Sequence, residues 1–192
     1  MASPGLTYGP TALATPANGV TLLRLLIAPL LVVIIVLEGP SWWAAAIWAV
    51  VAGTDWVDGW VARRQGATRS GAFLDPLADK FLVLGAMGAL VATGELWWLP
   101  VGLIAAREVG MSVYRAWAGR RGVSVPAMGW AKAKTWAQLI TVGLALIPAV
   151  ASQGELALDV VVWVAAALTV GTGLMYWLAA RGQRAMPAPS AG

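Results

Sequence analysis

Asp55-Trp-Val-Asp58-Gly59-Trp-Val-Ala62-Arg63, followed by Gly71-Ala-Phe-Leu-Asp75-Pro-Leu-Ala-Asp79, is the stretch on which the fold turns. Four of the chain's nine acidic residues fall within these 25 positions. Asp55 and Asp58 are spaced i,i+3, and Asp75 and Asp79 i,i+4, so on helices each pair shares one face. Apolar sequence leads into the first pair and follows the second, and a short turn separates them. Two antiparallel helices joined by that turn would hold both pairs at one depth, able to face each other.

Outward from this stretch the chain is strongly apolar. Hydrophobic residues make up 59% of the 192 and charged residues 11%, against roughly a quarter charged in a soluble domain. The apolar residues come in blocks divided by short charged clusters, and a membrane helix needs about 20 mostly apolar residues. An all-α integral membrane protein of six spans is expected, at about 20–37, 41–62, 72–93, 96–118, 135–151 and 157–180. The connections after the first, third and fifth spans carry Glu38, Glu95, Glu155 and Asp159 without Lys or Arg. Arg63, Arg64, Arg69, Lys80, Arg115, Arg120, Arg121, Lys132, Lys134, Arg181 and Arg184 cluster at the other ends. Positive charge marks the cytosolic side, so both termini are expected in the cytosol, with Trp42, Trp43, Trp97 and Trp98 at the outer interface. The division expected is a tail over 1–18, one catalytic domain over 19–181 and a flexible tail over 182–192. The first 18 residues lack a positive n-region and read as a cytosolic segment that is not cleaved. The net charge of +4 belongs to the cytosolic face, where it meets headgroups and phosphate, and does not call for nucleic acid.

Cysteine and histidine are both absent, so there is no disulfide, no thiolate and no imidazole for chemistry. One Asp near the middle of a membrane helix costs about 2.5–3.5 kcal/mol, and four together also repel one another. Cation binding resolves the conflict. With oxygen donors only, Mg²⁺ or Mn²⁺ is the natural choice, and two such ions a few ångströms apart suit phosphoryl transfer. Gly59, Ala62 and Gly71 flank the acids within a turn and leave room for a ligand near the backbone; close helix packing would use them equally well. Arg63 can neutralise a diphosphate.

The pattern D-x2-D-G-x2-A-R followed by G-x3-D-x3-D resembles the signature of the CDP-alcohol phosphotransferase family, with Asp55, Asp58, Gly59, Ala62, Arg63, Gly71, Asp75 and Asp79 all in place. The resemblance implies a six-helix bundle and a two-metal site. Asp55, Asp58 and Asp75 would be chiefly metal ligands, joined by Asp79, which would also act as general base on the acceptor hydroxyl. Attack on the phosphate of a CDP-linked lipid would expel CMP. Asn18, Thr21 and Arg24, in Asn18-Gly-Val-Thr21-Leu-Leu-Arg24, look like a first-helix motif of one branch of the family, placed near the nucleotide.

Two segments bear on the acceptor. Arg107-Glu108 lies about 16 Å into the fourth span at 1.5 Å per residue, and charges at such depth face the bundle interior. Arg115, eight positions on, shares roughly that face. Lys132-Ala-Lys134-Thr135-Trp-Ala-Gln138 leads into the fifth span. Together they resemble the bacterial phosphatidylglycerophosphate synthase branch, which implies CDP-diacylglycerol and glycerol 3-phosphate as substrates and a bacterial inner membrane with the site facing the cytosol. Arg107, Arg115, Lys132, Lys134, Thr135 and Gln138 would then bind the acceptor's phosphate. Phosphatidylglycerol or an inositol phosphate as acceptor remains open, as does, more remotely, a divalent-cation transporter. A homodimer is compatible with the chain.

Overall fold

The computed structural model describes residues 16–65, 69–120 and 130–184. Among them there are seven helices and no strand: α1 (Pro16–Glu38), α2 (Trp42–Gln65), α3 (Arg69–Ala92), α4 (Trp98–Arg120), α5 (Trp130–Ala145), α6 (Pro148–Gln153) and α7 (Glu155–Arg184). The six long ones overlap the six expected spans.

Local chemistry sets the breaks. Gly39 closes α1 at φ +68°, its N–H reaching the Ile35 carbonyl at 2.9 Å. Ser41 then caps α2 through its side-chain oxygen, which accepts from the Ala44 N–H at 3.2 Å. At the end of α3 the Glu95 N–H bonds the Leu90 carbonyl at 2.8 Å and the Gly94 N–H bonds that of Val91 at 3.1 Å. This paired closure needs a left-handed residue, and Gly94 supplies it at φ +84°. The expected fifth span, 135–151, differs from the helix found. α5 begins at Trp130, stops at Ala145, and α6 restarts at Pro148. Proline lacks the N–H that would continue the ladder and its ring clashes with the preceding turn, so it opens a new helix instead.

α1 packs most extensively on α3, and α7 on both α5 and α4, with smaller contacts from α3 to α4 and α5 and from α2 to α1 and α5. Leu31, Ile35, Met87, Leu90, Ile104, Val142, Leu146 and Val162 are fully buried. Gly85 lets α3 approach α1, since a Cβ there would stand 3.2 Å from Val32 Cγ2. Trp48 on α2 donates its indole N–H to the Leu139 carbonyl of α5 at 3.2 Å.

The outside is apolar as well: Leu26, Leu37, Trp42, Trp43, Val50 and Leu156 are all exposed. Among the described residues one segment, Glu155–Tyr176, is by itself long and apolar enough to cross a membrane, at mean hydropathy 1.8.

Candidate active site

One end of the bundle is polar inside. There α3, α4 and α5 line a half-open cavity of about 210 Å³, with Asp79 and Lys80 above the apolar Val83 and Leu84 on α3, Arg107, Glu108, Met111 and Arg115 on α4, and Lys134, Thr135 and Gln138 on α5. Helical periodicity explains the convergence. Arg107, Met111 and Arg115 recur at four-residue steps along α4 with Glu108 adjoining the first, and Lys134 and Gln138 are four apart on α5.

Glu108 stands at the centre. It is 5% exposed, and three cations from three helices address it. Arg107 Nη1 donates to Oε1 at 2.9 Å, Lys134 Nζ donates to the same oxygen, and Lys80 Nζ lies 3.8 Å from Oε2. Lys80 also donates to Ser112 Oγ, whose hydroxyl is given to the Glu108 carbonyl at 2.7 Å. In such a cluster each charge offsets part of the desolvation of the others. With Arg115, the lining holds four cations against two carboxylates, so the cavity has a net appetite for an anion.

Asp79 occupies the cavity's other side. Its Oδ1 accepts from Arg24 Nη1 at 2.5 Å, joining α3 to α1, and its side chain is 42% exposed while that of Arg24 is 3% exposed. A carboxylate oriented by a buried guanidinium and itself 42% exposed can be reached from the cavity. Arg115 lies with its guanidinium carbon 5.6 Å from the Tyr176 ring centroid.

The model of the family described as CDP-alcohol phosphatidyltransferase matches residues 14–171. The chain belongs to that family. A probable phosphatidylglycerophosphate synthase of Mycobacterium tuberculosis is 41% identical over 181 residues, covering 90% of this chain and 84% of the relative. CDP-diacylglycerol–glycerol-3-phosphate 3-phosphatidyltransferases of Salmonella typhimurium, 41% identical over 172 residues, and Escherichia coli, 40% identical over 171, each cover 84% of this chain and 92% of their own length.

For a CDP-alcohol phosphatidyltransferase the aspartates come first. Asp55 and Asp58 lie within α2, and Asp75 and Asp79 within α3. The side chains of Asp55, Asp58 and Asp75 lie outside the described residues, as do those of Asn18, Thr21, Ala62 and Arg63 and the surroundings of Gly59 and Gly71. Among the described residues, accordingly, no cluster of three acidic or other metal-binding side chains forms. The donor set nonetheless fits a hard divalent cation, since the chain offers carboxylate oxygens and neither imidazole nor thiolate.

The residues expected at the acceptor divide clearly. Arg107, Arg115, Lys134, Thr135 and Gln138 all line the cavity that Asp79 borders. Lys132 does not: it is exposed and outside the lining, because two positions along a helix is more than half a turn from Lys134. Sequence reasoning passed over Lys80, which looked like one more cytosolic cation, and gave no role to Glu108 beyond its depth. The signal for Glu108 was present: a carboxylate at that depth needs cationic partners.

Proposed function

We propose that this chain transfers the phosphatidyl group of CDP-diacylglycerol to glycerol 3-phosphate, releasing CMP and forming phosphatidylglycerophosphate. The observation that carries the proposal is the meeting of one reachable carboxylate, Asp79, with Lys80, Arg107, Arg115 and Lys134 in a single cavity. An acceptor that bears its own phosphate needs both: cations to hold the anion and a base beside its hydroxyl. The names of the relatives in Salmonella typhimurium and Escherichia coli state that pair of substrates.

In the reaction the acceptor hydroxyl oxygen bonds to the phosphorus that carries the diacylglycerol. The bond from that phosphorus to the bridging oxygen breaks, and the oxygen leaves with CMP. Asp79 accepts the hydroxyl proton, and Arg24 keeps it oriented. Arg107, Arg115 and Lys134 hold the acceptor's phosphate, Thr135 and Gln138 offer it hydrogen bonds, and Lys80 adds a fourth cation. Asp55, Asp58, Asp75 and Asp79 would hold two divalent cations, Mg²⁺ or Mn²⁺, which when bound supply positive charge to the pyrophosphate. Asn18, Thr21, Gly59, Ala62, Arg63 and Gly71 belong to the CDP-lipid side of the site. Lys132, on the exposed side of α5, is left out of the phosphate site.

We place α1 to α5 and α7 across a bacterial inner membrane, both termini and the cavity on the cytosolic side. The exposed Leu, Val and Trp side chains on the long helices favour lipid around them. Trp42, Trp43, Trp97 and Trp98 are exposed at the opposite end from the cavity, as an outer interface asks.

The test is an acceptor panel. Purified protein in lipid nanodiscs with CDP-diacylglycerol and Mg²⁺ should release CMP at least roughly tenfold faster with glycerol 3-phosphate than with phosphatidylglycerol or inositol phosphate. Faster release with either of the others would overturn the acceptor assigned here.

A further inference from the structure

The acceptor cavity is lined by α3, α4 and α5, yet its side chains are not held by those helices alone. Four residues of α7, Thr169, Thr172, Gly173 and Tyr176, recur at i, i+3, i+4 and i+7 and so form one stripe. Each meets a side chain that lines the cavity. Thr172 and Tyr176 are 6% exposed and Thr169 is fully buried, so this stripe faces inward, while Val160, Trp163, Val164, Val170 and Leu174 are presented outward. Thr172, Gly173 and Tyr176 also lie beyond residue 171, where the match to the family ends.

The hydroxyl protons decide what the stripe does. Thr169 Oγ1 donates to the Ala165 carbonyl at 2.6 Å, and Thr172 Oγ1 donates to the Thr169 carbonyl at 2.9 Å. With both protons committed to the helix's own backbone, both oxygens can only accept from across the interface. Thr169 accepts from Gln138 Nε2 at 2.8 Å, which fixes the end of that amide turned toward α7. Thr172 accepts from Arg107 Nη2 at 3.1 Å.

Gly173 completes the seat. A Cβ there would lie 3.2 Å from both Cγ and Nε of Arg107, so the arginine stem runs across bare backbone. Arg107 Nε is buried against it without a hydrogen-bond partner. The direction of the guanidinium is therefore set by its two Nη contacts, Glu108 on its own helix and Thr172 on α7. One turn further, the Tyr176 ring supports Arg115.

We infer that this stripe of α7 is a positioning element for the acceptor's phosphate: it aims Arg107, Gln138 and Arg115 into the cavity and thereby sets the affinity for a phosphorylated acceptor without touching it. The inference rests on the acceptor site proposed above, and it assigns a specificity role to a helix that looks merely hydrophobic in sequence.

The experiment separates the two substrates. Thr172→Val keeps the shape and removes the acceptor oxygen, and Gly173→Ala pushes on the Arg107 stem. Each should raise the KM for glycerol 3-phosphate about tenfold, the scale of a lost hydrogen bond to a charged group. The KM for CDP-diacylglycerol and kcat should stay within about twofold, because neither residue bears on the reacting atoms. Thr172→Ser should restore the wild-type KM, which rules out a mere loss of folded protein. An unchanged KM for glycerol 3-phosphate in both variants would overturn the inference, and so would both KM values rising together. Failure of the proposed function looks different, since wild-type enzyme would then prefer another acceptor. Should that acceptor be a phosphorylated one, the same three variants measured with it decide the stripe's role.

Discussion

The α1–α3 pair and the α4–α5–α7 group are joined in one bundle but built from different materials. Between α1 and α3 the contact is almost wholly apolar, with Leu31, Ile35, Met87 and Leu90 fully buried and Val32 seated against Gly85. The ion pair of Arg24 with Asp79 stands at the cavity end of that contact. The second group is apolar at one end, through Ile104, Val142, Leu146 and Val162, and polar at the other, where Glu108, Lys134, Gln138, Thr169 and Thr172 are buried. Dispersion contacts are individually small and give way gradually. A buried charge network does not, because every missing partner leaves another group unpaired in a low dielectric. The first region is therefore scaffold alone, whereas the second, which carries the proposed acceptor site, also adds a charge-dependent share of the stability.

Asp79 sits at the joint and tests the division most severely. Asp79→Asn keeps the side chain's size but removes the base, so kcat should fall by about 10²–10⁴-fold, measured as CMP release at saturating substrates. A fall smaller than about tenfold would place the base elsewhere.

Glu108→Gln attacks the polar network without touching the α1–α3 packing. Arg107, Lys134 and Lys80 would then face one another with their shared counter-charge gone. Breaking a buried pair from one side costs about 3 kcal/mol or more, so the thermal midpoint in detergent should drop clearly, and the KM for glycerol 3-phosphate should change with it. A variant as stable as wild type would mean that the cluster is solvated and that the contrast between the two regions is overstated.

What the sequence made legible follows the same division. The six long helices stand in the apolar runs because a run of that length has few other ways to satisfy its backbone. Arg107 stood out because a charge amid such a run is expensive and must meet partners, whereas Asp79, Arg115, Lys134, Thr135 and Gln138, which line the same cavity, were singled out by spacing and by the family resemblance. The break before Pro148 went unread, since a proline following apolar sequence can kink a helix as easily as end it. Lys132 was grouped with Lys134 by closeness in sequence, whereas the helix turns them apart. The threonines of α7 gave least away. A threonine in an apolar helix can satisfy its own hydroxyl on the preceding turn, and that is what Thr169 and Thr172 do with their protons. Only the facing side chains of Arg107 and Gln138 reveal that their lone pairs are in use.

The reverse of Glu108→Gln is Leu90→Ala, deep between α1 and α3. Truncating a fully buried leucine leaves a cavity worth about 2 kcal/mol, the low end of the usual range, since helices separated in lipid still keep their side chains out of water. Stability should fall while both KM values hold, as chemical denaturation and steady-state kinetics on the same preparation would show. A shift in the KM for glycerol 3-phosphate would mean that strain passes from the scaffold into the site.

The smallest effect belongs to the end opposite the cavity, where Glu95 follows the glycine closure of α3. Burial pushes its pKa above the ordinary carboxylate value, and the nearby Glu155 adds to the rise. A raised pKa in the folded state means that folding favours the protonated form. Below the unfolded-state value both states hold the proton and no penalty exists. As pH climbs from there through the raised folded value the penalty grows, and above it the penalty is constant. Stability should therefore decline slightly with rising pH across that window, and Glu95→Gln should flatten the slope, seen as a thermal midpoint that no longer drifts with pH. Glu95 is partly exposed to solvent, so added salt should screen the Glu155 contribution and shrink the difference between the two proteins. A slope unchanged by the substitution would move the titration to another group and leave the two regions of the bundle equally indifferent to charge at this end.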